Sequence, residues 1–366
     1  MGSPVRVLHV VVNMNRGGAE TLLMNLYRNM DRSKVQFDFL TCKEGLFDEE
    51  IKGMGGIIHR IPYVTDKGHF GYIKALSQFF EKYSNYQIVH SHMDKMSGFV
   101  LQAAKKNQIP VRIAHSHNTS SEGSLPARLY KWYAGKHITP NATHFLACSQ
   151  MAADWLFGNK RDVIIVQNGI ETEKFIFSLQ VRQQIRCELN LDDKFVIGHV
   201  GRFNHQKNHL FLLDLFKEVL DRIPNAELVL VGDGDLKGEI ESKIKALNIQ
   251  DQVRLLGVRS DIERLLQGFD LFVFPSLHEG LPVTLIEAQG AGLPCVISDV
   301  ISSEVDMGEQ LVHYCSLNEQ STWIRRIELL SYEVNHTRVN ATQSLTNKGY
   351  DIKSTAVWSQ GFYSAI

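Results

Sequence analysis

Apolar residues along this chain fall in short, nearly unbroken runs, separated by stretches of helical period. Residues 5–12 are apolar apart from Arg6 and His9. A run of that kind predicts a strand buried on both faces of a parallel sheet. Gly17-Gly18 then lead into Leu22, Leu23, Leu26 and Met30, spaced as on one face of a helix. Further strands are expected at residues 36–41, 56–61, 87–91, 111–115, 143–148 and 163–167. Helices are expected between most of them, including 70–83 and 97–107. Alternating strands and helices imply a parallel sheet covered on both faces.

The pattern restarts at residues 195–200, a run resembling 5–12, followed by a polar loop and a helix at 210–222. Strands at 226–231, 253–256, 270–274 and 294–298 continue it. The expectation is an α/β chain of two Rossmann-like halves, with the break after Asn168-Gly169 in the polar segment 171–180. Residues 350–366 carry aromatic and aliphatic positions at helical spacing and predict a closing helix. The expected domains are 1–173 together with 350–366, and 174–349. In open α/β sheets, ligands bind beyond the carboxyl ends of strands, so polar residues just after strand ends are the candidates for chemistry.

Length and composition narrow the class. At roughly 100 to 200 residues per domain, 366 residues suit two domains. With 44% hydrophobic and 22% charged residues, the chain is neither disordered, collagenous nor coiled coil throughout. No apolar stretch approaches the roughly 18 residues of a membrane span. No basic-then-apolar leader is apparent, so a cytoplasmic protein is expected. The five cysteines are widely spaced and include no C-x-x-C, which argues against a disulfide framework or a structural zinc site. The net charge of −1 hides an asymmetry: residues 1–175 hold 21 Lys and Arg against 15 Asp and Glu, while the remainder holds 18 against 25. A basic half beside an acidic half fits one domain facing something anionic, and chance would produce it as well. No nucleic-acid partner is expected.

Four strand ends carry candidate chemistry. After the first strand, Gly17 and Gly18 open a helix, where backbone N–H groups can approach an anion. The spacing is not G-x-G-x-x-G, so the dinucleotide fingerprint is absent. After the fifth strand stands His115-Ser116-His117, and an earlier His-Ser-His occupies 90–92. These histidines suit polar ligand contacts or proton handling, or a structural role. His115 and His117 could share one side of a strand, but no carboxylate lies close by in sequence, so a metal site is not expected. After residues 195–200 come Gly201, Arg202 and Lys207, a fork and a point charge that suit a diphosphate. Residues 270–274 run into a loop with Glu279, Gly280, Leu281 and Pro282, then a helix from Val283 carrying Glu287. Proline suits a first helical turn, and the N–H groups of Gly280, Leu281 and Val283 could cradle a phosphate. Glu279 and Glu287 could hold opposite ends of an extended ligand through its hydroxyls.

Together these parts resemble glycosyltransferase family 4, the retaining enzymes of the GT-B fold. The matching residues are Gly17-Gly18-Ala19-Glu20, His117, Val166-Gln167-Asn168-Gly169-Ile170, Gly201-Arg202 with Lys207, and Val231-Gly232-Asp233-Gly234. Leu256-Gly257, Phe274-Pro275-Ser276 and Glu279-x7-Glu287 complete the set. The resemblance implies two Rossmann-like domains facing across a cleft, the nucleotide sugar held by the second and the acceptor by the first. The nearest likeness is to bacterial capsule and exopolysaccharide transferases. It further implies that Arg202 and Lys207 neutralise the departing diphosphate, a large catalytic term, with no metal and no cofactor. Glu287 would hold ribose hydroxyls, Glu279 donor-sugar hydroxyls, and His117 the donor sugar near its 6-hydroxyl. Gly17 and Gly18 would close over the diphosphate, and the base would stack near Gly257, Val258 and Arg259. The implied reaction moves a hexose or N-acetylhexosamine, with retention, from a UDP-sugar to a saccharide, often lipid-linked. The leaving phosphate would serve as base, so no protein nucleophile is named. A nucleotide-sugar epimerase on the same fold, or a nucleotide-sugar-binding subunit without activity, is the alternative.

Segment 124–139 mixes Arg128, Lys131 and Lys136 with Leu125, Leu129, Tyr130, Trp132 and Tyr133. Such a helix suits an anionic bilayer surface, or equally a helix packed by its aromatics with lysines in water.

Overall fold

The computed structural model describes residues 3–121, 123–160, 162–333 and 338–366. The chain divides into two units, Met1–Gly169 with Ile352–Ile366, and Ile170–Asp351.

The first unit is built on seven strands: β1 (Val5–Val10), β2 (Val35–Thr41), β3 (Ile58–Arg60), β4 (Ile88–Ser91), β5 (Val111–Ser116), β6 (His144–Ala147) and β7 (Val163–Ile165). Their order is β3-β2-β1-β4-β5-β6-β7, all parallel. Side chains alternate across a strand, and β1 displays this directly. Val7 and Val11 enter a core with Phe37, Tyr27 and Ile352, while Leu8 and Val10 enter the opposite one with Leu76, Phe80 and Val100. The expected closing helix forms at Ile352–Ala365 and packs on the helix Gly18–Asn29 and on β1 and β2. Gly169 permits that docking, since a Cβ there would lie 2.9 Å from the Ile352 backbone. The helix expected at 70–83 begins earlier, at Val64, and is interrupted at Gly68, whose φ of 66° no helix accommodates.

The second unit holds β8 (Phe195–Val200), β9 (Ala226–Val231), β10 (Val253–Leu255), β11 (Leu271–Phe274), β12 (Cys295–Ser298) and β13 (Val312–Cys315). The order is β10-β9-β8-β11-β12-β13, again parallel. β13 had no counterpart in the sequence reading: it is a short edge strand, and its His313 and Tyr314 break the apolar run. The polar segment 171–180 begins just past the division between the two units, after Gly169. It holds a short helix, Thr172–Phe175, and leads into the helix Leu179–Glu188. Arg182 and Arg186 of that helix both pair with the buried Asp270, whose carboxylate also accepts the Val196 N–H at 2.8 Å. Of the charged residues of 171–180 itself, Glu173 and Lys174 stay exposed to solvent.

Each sheet reverses its strand order once, between β1 and β4 and between β8 and β11. Such switch points open a crevice beyond the carboxyl ends of the strands.

Candidate functional site

At the switch point of the second unit, two loops are pinned to each other. β8 runs into Gly201, where a Cβ would stand 3.3 Å from Cδ and Cε of Lys207 and 3.1 Å from His199 Nε2. Glycine is therefore what lets the lysine stem lie across the strand end. Residues His205–Lys207 make a single 3-10 turn, capped by the Asn204 side chain, which accepts the Lys207 N–H at 3.2 Å. The loop after β11 is tied to this turn. The Leu277 N–H donates to the Gln206 carbonyl, and Gln206 Nε2 donates to the His278 carbonyl, each at 2.8 Å. Lys207 Nζ thereby reaches Glu279 Oε1 at 2.6 Å and lies 4.7 Å from the centre of the Phe274 ring. Both partners are largely buried, with side chains 15% and 7% exposed. Arg202 is exposed at the same strand end.

The helix Val283–Gly290 follows, with Pro282 at its N-cap and no side chain capping it. In its first turn the Leu285 N–H bonds the Pro282 carbonyl at 3.0 Å, and a helix start without a side-chain cap suits an anion. Gly280, Leu281 and Val283 are buried around this turn. Glu287 lies further along the helix. Burial, reinforced by Glu263, pushes its carboxyl up to about 7, although the side chain keeps some solvent contact that moderates the penalty. After β10, Gly257 turns at φ 65° and its carbonyl accepts the Gly232 N–H at 2.9 Å. Val258 beyond it is 52% exposed. Arg259 makes a two-pronged pair with Asp261 at 2.8 and 2.7 Å, so its guanidinium is already engaged. Of the residues singled out from sequence in this unit, Gly201, Lys207 and Glu279 meet directly. Arg202, Val258, Arg259, Gly280, Leu281 and Val283 occupy loops and a helix start at carboxyl ends of strands, and Glu287 stands inside the helix that follows β11.

In the first unit, Gly17 caps the helix Gly18–Asn29. A Cβ on Gly17 would lie 2.3 Å from the Glu20 carboxylate, whereas nothing stands within 4 Å of one on Gly18. The turn is thus open on the Gly18 side. His117 follows β5 directly and belongs to a group that the two His-Ser-His motifs only half revealed. His9 on β1 is the register partner of His90 on β4, and the two-residue alternation puts His92 and His117 on the sides of His90 and His115. His117 Nε2 lies 2.8 Å from His92 Nδ1, and His92 Nε2 lies 3.0 Å from His9 Nδ1. His90 Nε2 is 3.1 Å from His115 Nδ1, and its Nδ1 is 2.8 Å from the Tyr363 hydroxyl of the closing helix. Burial lowers all five imidazoles far below their ordinary range, His117 and His9 to about 3, so they are neutral. His9 was read only as an interruption of an apolar run; strand pairing makes it part of the group.

Two doubly wound parallel sheets in one chain are the architecture of the GT-B fold, and the family matches make this a glycosyltransferase. Residues 16–174 match glycosyltransferase family 4, residues 181–320 match glycosyl transferases group 1, and the chain belongs to family 4. It is 40% identical over 359 residues to the protein EpsF of Bacillus subtilis, covering 95% of this chain and 94% of that one. It is 27% identical over 318 residues to the UDP-Gal:alpha-D-GlcNAc-diphosphoundecaprenol alpha-1,3-galactosyltransferase of Escherichia coli, covering 81% and 80%. The crystal structure of Anabaena HepE in complex with UDP and glucose has the same fold, with a TM-score of 0.82 at 19% identity over 99% of this chain and 100% of that chain.

Proposed function

We propose that this glycosyltransferase moves a hexose or N-acetylhexosamine, with retention, from a UDP-sugar to a lipid-linked saccharide in bacterial surface polysaccharide synthesis. The observation that carries this reading is the placement of Arg202, Lys207 and Glu279 at the switch point of the second unit. Two cations there suit the diphosphate, and a carboxylate beside them suits sugar hydroxyls. Positive charge fixed at the leaving group stabilises the departing diphosphate, so the step requires no metal. Glu287 takes the ribose hydroxyls, and His117 the donor sugar. The galactosyltransferase of Escherichia coli bears a UDP-sugar and an undecaprenol-linked acceptor in its name, which favours the same pairing here, and HepE holds UDP and glucose, which favours the UDP-linked donor.

The lipid-linked acceptor draws support from the helix Leu125–Gly135. Ala134 is buried there, while Leu125, Leu129, Trp132 and Tyr133 are 70%, 59%, 54% and 48% exposed. Lys136 sits 3.6 Å over the Trp132 ring. Exposed aromatics beside Arg128, Lys131 and Lys136 match the headgroup region of an anionic bilayer. Among the described residues, no helix is long and apolar enough to cross a membrane. The proposed setting is the inner face of the cell membrane, with the protein bound from the cytoplasm.

A donor screen measuring nucleotide release, with the product read by mass spectrometry, tests the reading. UDP release that depends on a polyprenyl-diphosphate saccharide, and a product one hexose or N-acetylhexosamine heavier, is expected. A converted donor with no acceptor requirement would instead identify an epimerase.

A further inference from the structure

We infer that the histidine group of the first unit is a binding site for one zinc-class divalent ion, held by His92, His115 and His117. One ring nitrogen from each of these three lies within 4.8 Å of the others, and His9, His90 and His92 form a second such triad behind it. The front triad is favoured because His117 retains solvent exposure and so provides a way in, whereas His9 and His90 are almost completely buried.

Three features point to an ion rather than to a closed hydrogen-bond network. A neutral imidazole offers one donor and one acceptor, yet His115 Nε2 and His117 Nδ1 are buried with no hydrogen-bond partner among the described residues. Coordination would satisfy such an orphan. Nitrogens bound at 2.0–2.1 Å to one tetrahedral ion stand about 3.3 Å apart, so three nitrogens already within 4.8 Å of one another need to draw together by no more than about 1.5 Å. Asp94, two residues beyond His92, is the nearby carboxylate: its Oδ1 is also buried without a partner, and it accepts the His117 backbone N–H. It would offset ion charge from outside the ligand set. All-imidazole sites suit zinc, copper and nickel rather than magnesium or calcium.

Occupancy has a consequence that rests on the proposed function: His117 cannot serve the donor sugar while it binds the ion. The ion therefore acts as an inhibitor opposed by donor, not as a cofactor.

The test uses the full chain stripped with EDTA. Zinc titration by calorimetry, and cobalt titration followed by visible absorption, should each give one ion per chain. His92→Gln and His115→Gln should each weaken binding by more than about tenfold, the loss that even outer-shell partners cause. His144→Gln, outside the group, should not. If His92→Gln melts early, His115→Gln decides, since it gives up one ring contact, that of Nδ1 with His90, where His92→Gln gives up two. No binding at one equivalent, or binding equal in both variants and the parent, overturns the site. Zinc inhibition that rising UDP-sugar does not relieve overturns the involvement of His117. A chain that binds the ion yet transfers no sugar leaves the site standing and removes the transferase reading instead.

Discussion

Lys207 Nζ lies 2.6 Å from Glu279 Oε1, although the two are separated by 72 residues in sequence. The strand-end loops that carry them are cross-linked through Gln206, so lysine and glutamate are held against each other by the loops themselves.

Replacing either cation should cost turnover, with different effects on the fold. Arg202→Ala and Lys207→Ala should each lower kcat about a hundredfold, or ~3 kcal/mol. Arg202 is exposed, so its loss should leave Tm unchanged. Lys207→Ala removes a mostly buried ion partner of Glu279 and should destabilise by ~1–3 kcal/mol. Steady-state kinetics beside thermal melts read both. Near-normal turnover in both variants would refute the diphosphate role.

The two glutamates should separate by ligand. Glu287→Ala should weaken UDP and UDP-sugar alike, because both carry the ribose. Glu279→Ala should weaken the UDP-sugar more than UDP. Calorimetry with both ligands checks this, and equal losses throughout would contradict the division.

Stability should carry the signature of Glu287. Its folded carboxyl titrates near 7, above the ordinary value of 4.5. Between those pH values the unfolded chain has released the proton that the native chain still holds. Stability therefore falls as pH rises through this window. Glu287→Gln removes that loss, so its advantage over the parent should grow from pH 4.5 to 7 and be level on either side. Urea unfolding at pH 4, 5.5 and 8 measures it. A constant difference would show that the carboxyl is not perturbed.

Chelation should not abolish transfer. With Arg202 and Lys207 supplying the positive charge, EDTA should leave turnover intact, or raise it where the histidine group had carried an ion. Complete loss, restored by magnesium or manganese, would indicate metal-assisted departure of the diphosphate.

Membrane attachment should be electrostatic and local. Flotation should require anionic lipid, weaken at high salt and fall in the triple variant Arg128→Ala, Lys131→Ala, Lys136→Ala, each charge contributing about 1 kcal/mol at the surface. Flotation indifferent to lipid charge would sink this assignment and leave the transferase untouched.

What the chain's own order determined was its periodicity. Runs such as 195–200 and 226–231 read as buried strands because both faces of a parallel sheet exclude polar groups, and those spans reappear unchanged as β8 and β9. Gly201, Lys207 and Glu279 were also visible, because chemistry at a strand end is local in sequence. Contacts between distant segments were decided elsewhere. The ion cluster at Asp270 anchors the helix that follows the polar linker, since a buried carboxylate needs partners that composition does not reveal. The half-exposed β13 was hidden because an edge strand need not be apolar on both faces. His9 gained its meaning only when β1 paired with β4 and set its ring against His92. Register is a property of the sheet, and a histidine inside an apolar run reads the same whether its neighbour in space is a valine or four other imidazoles.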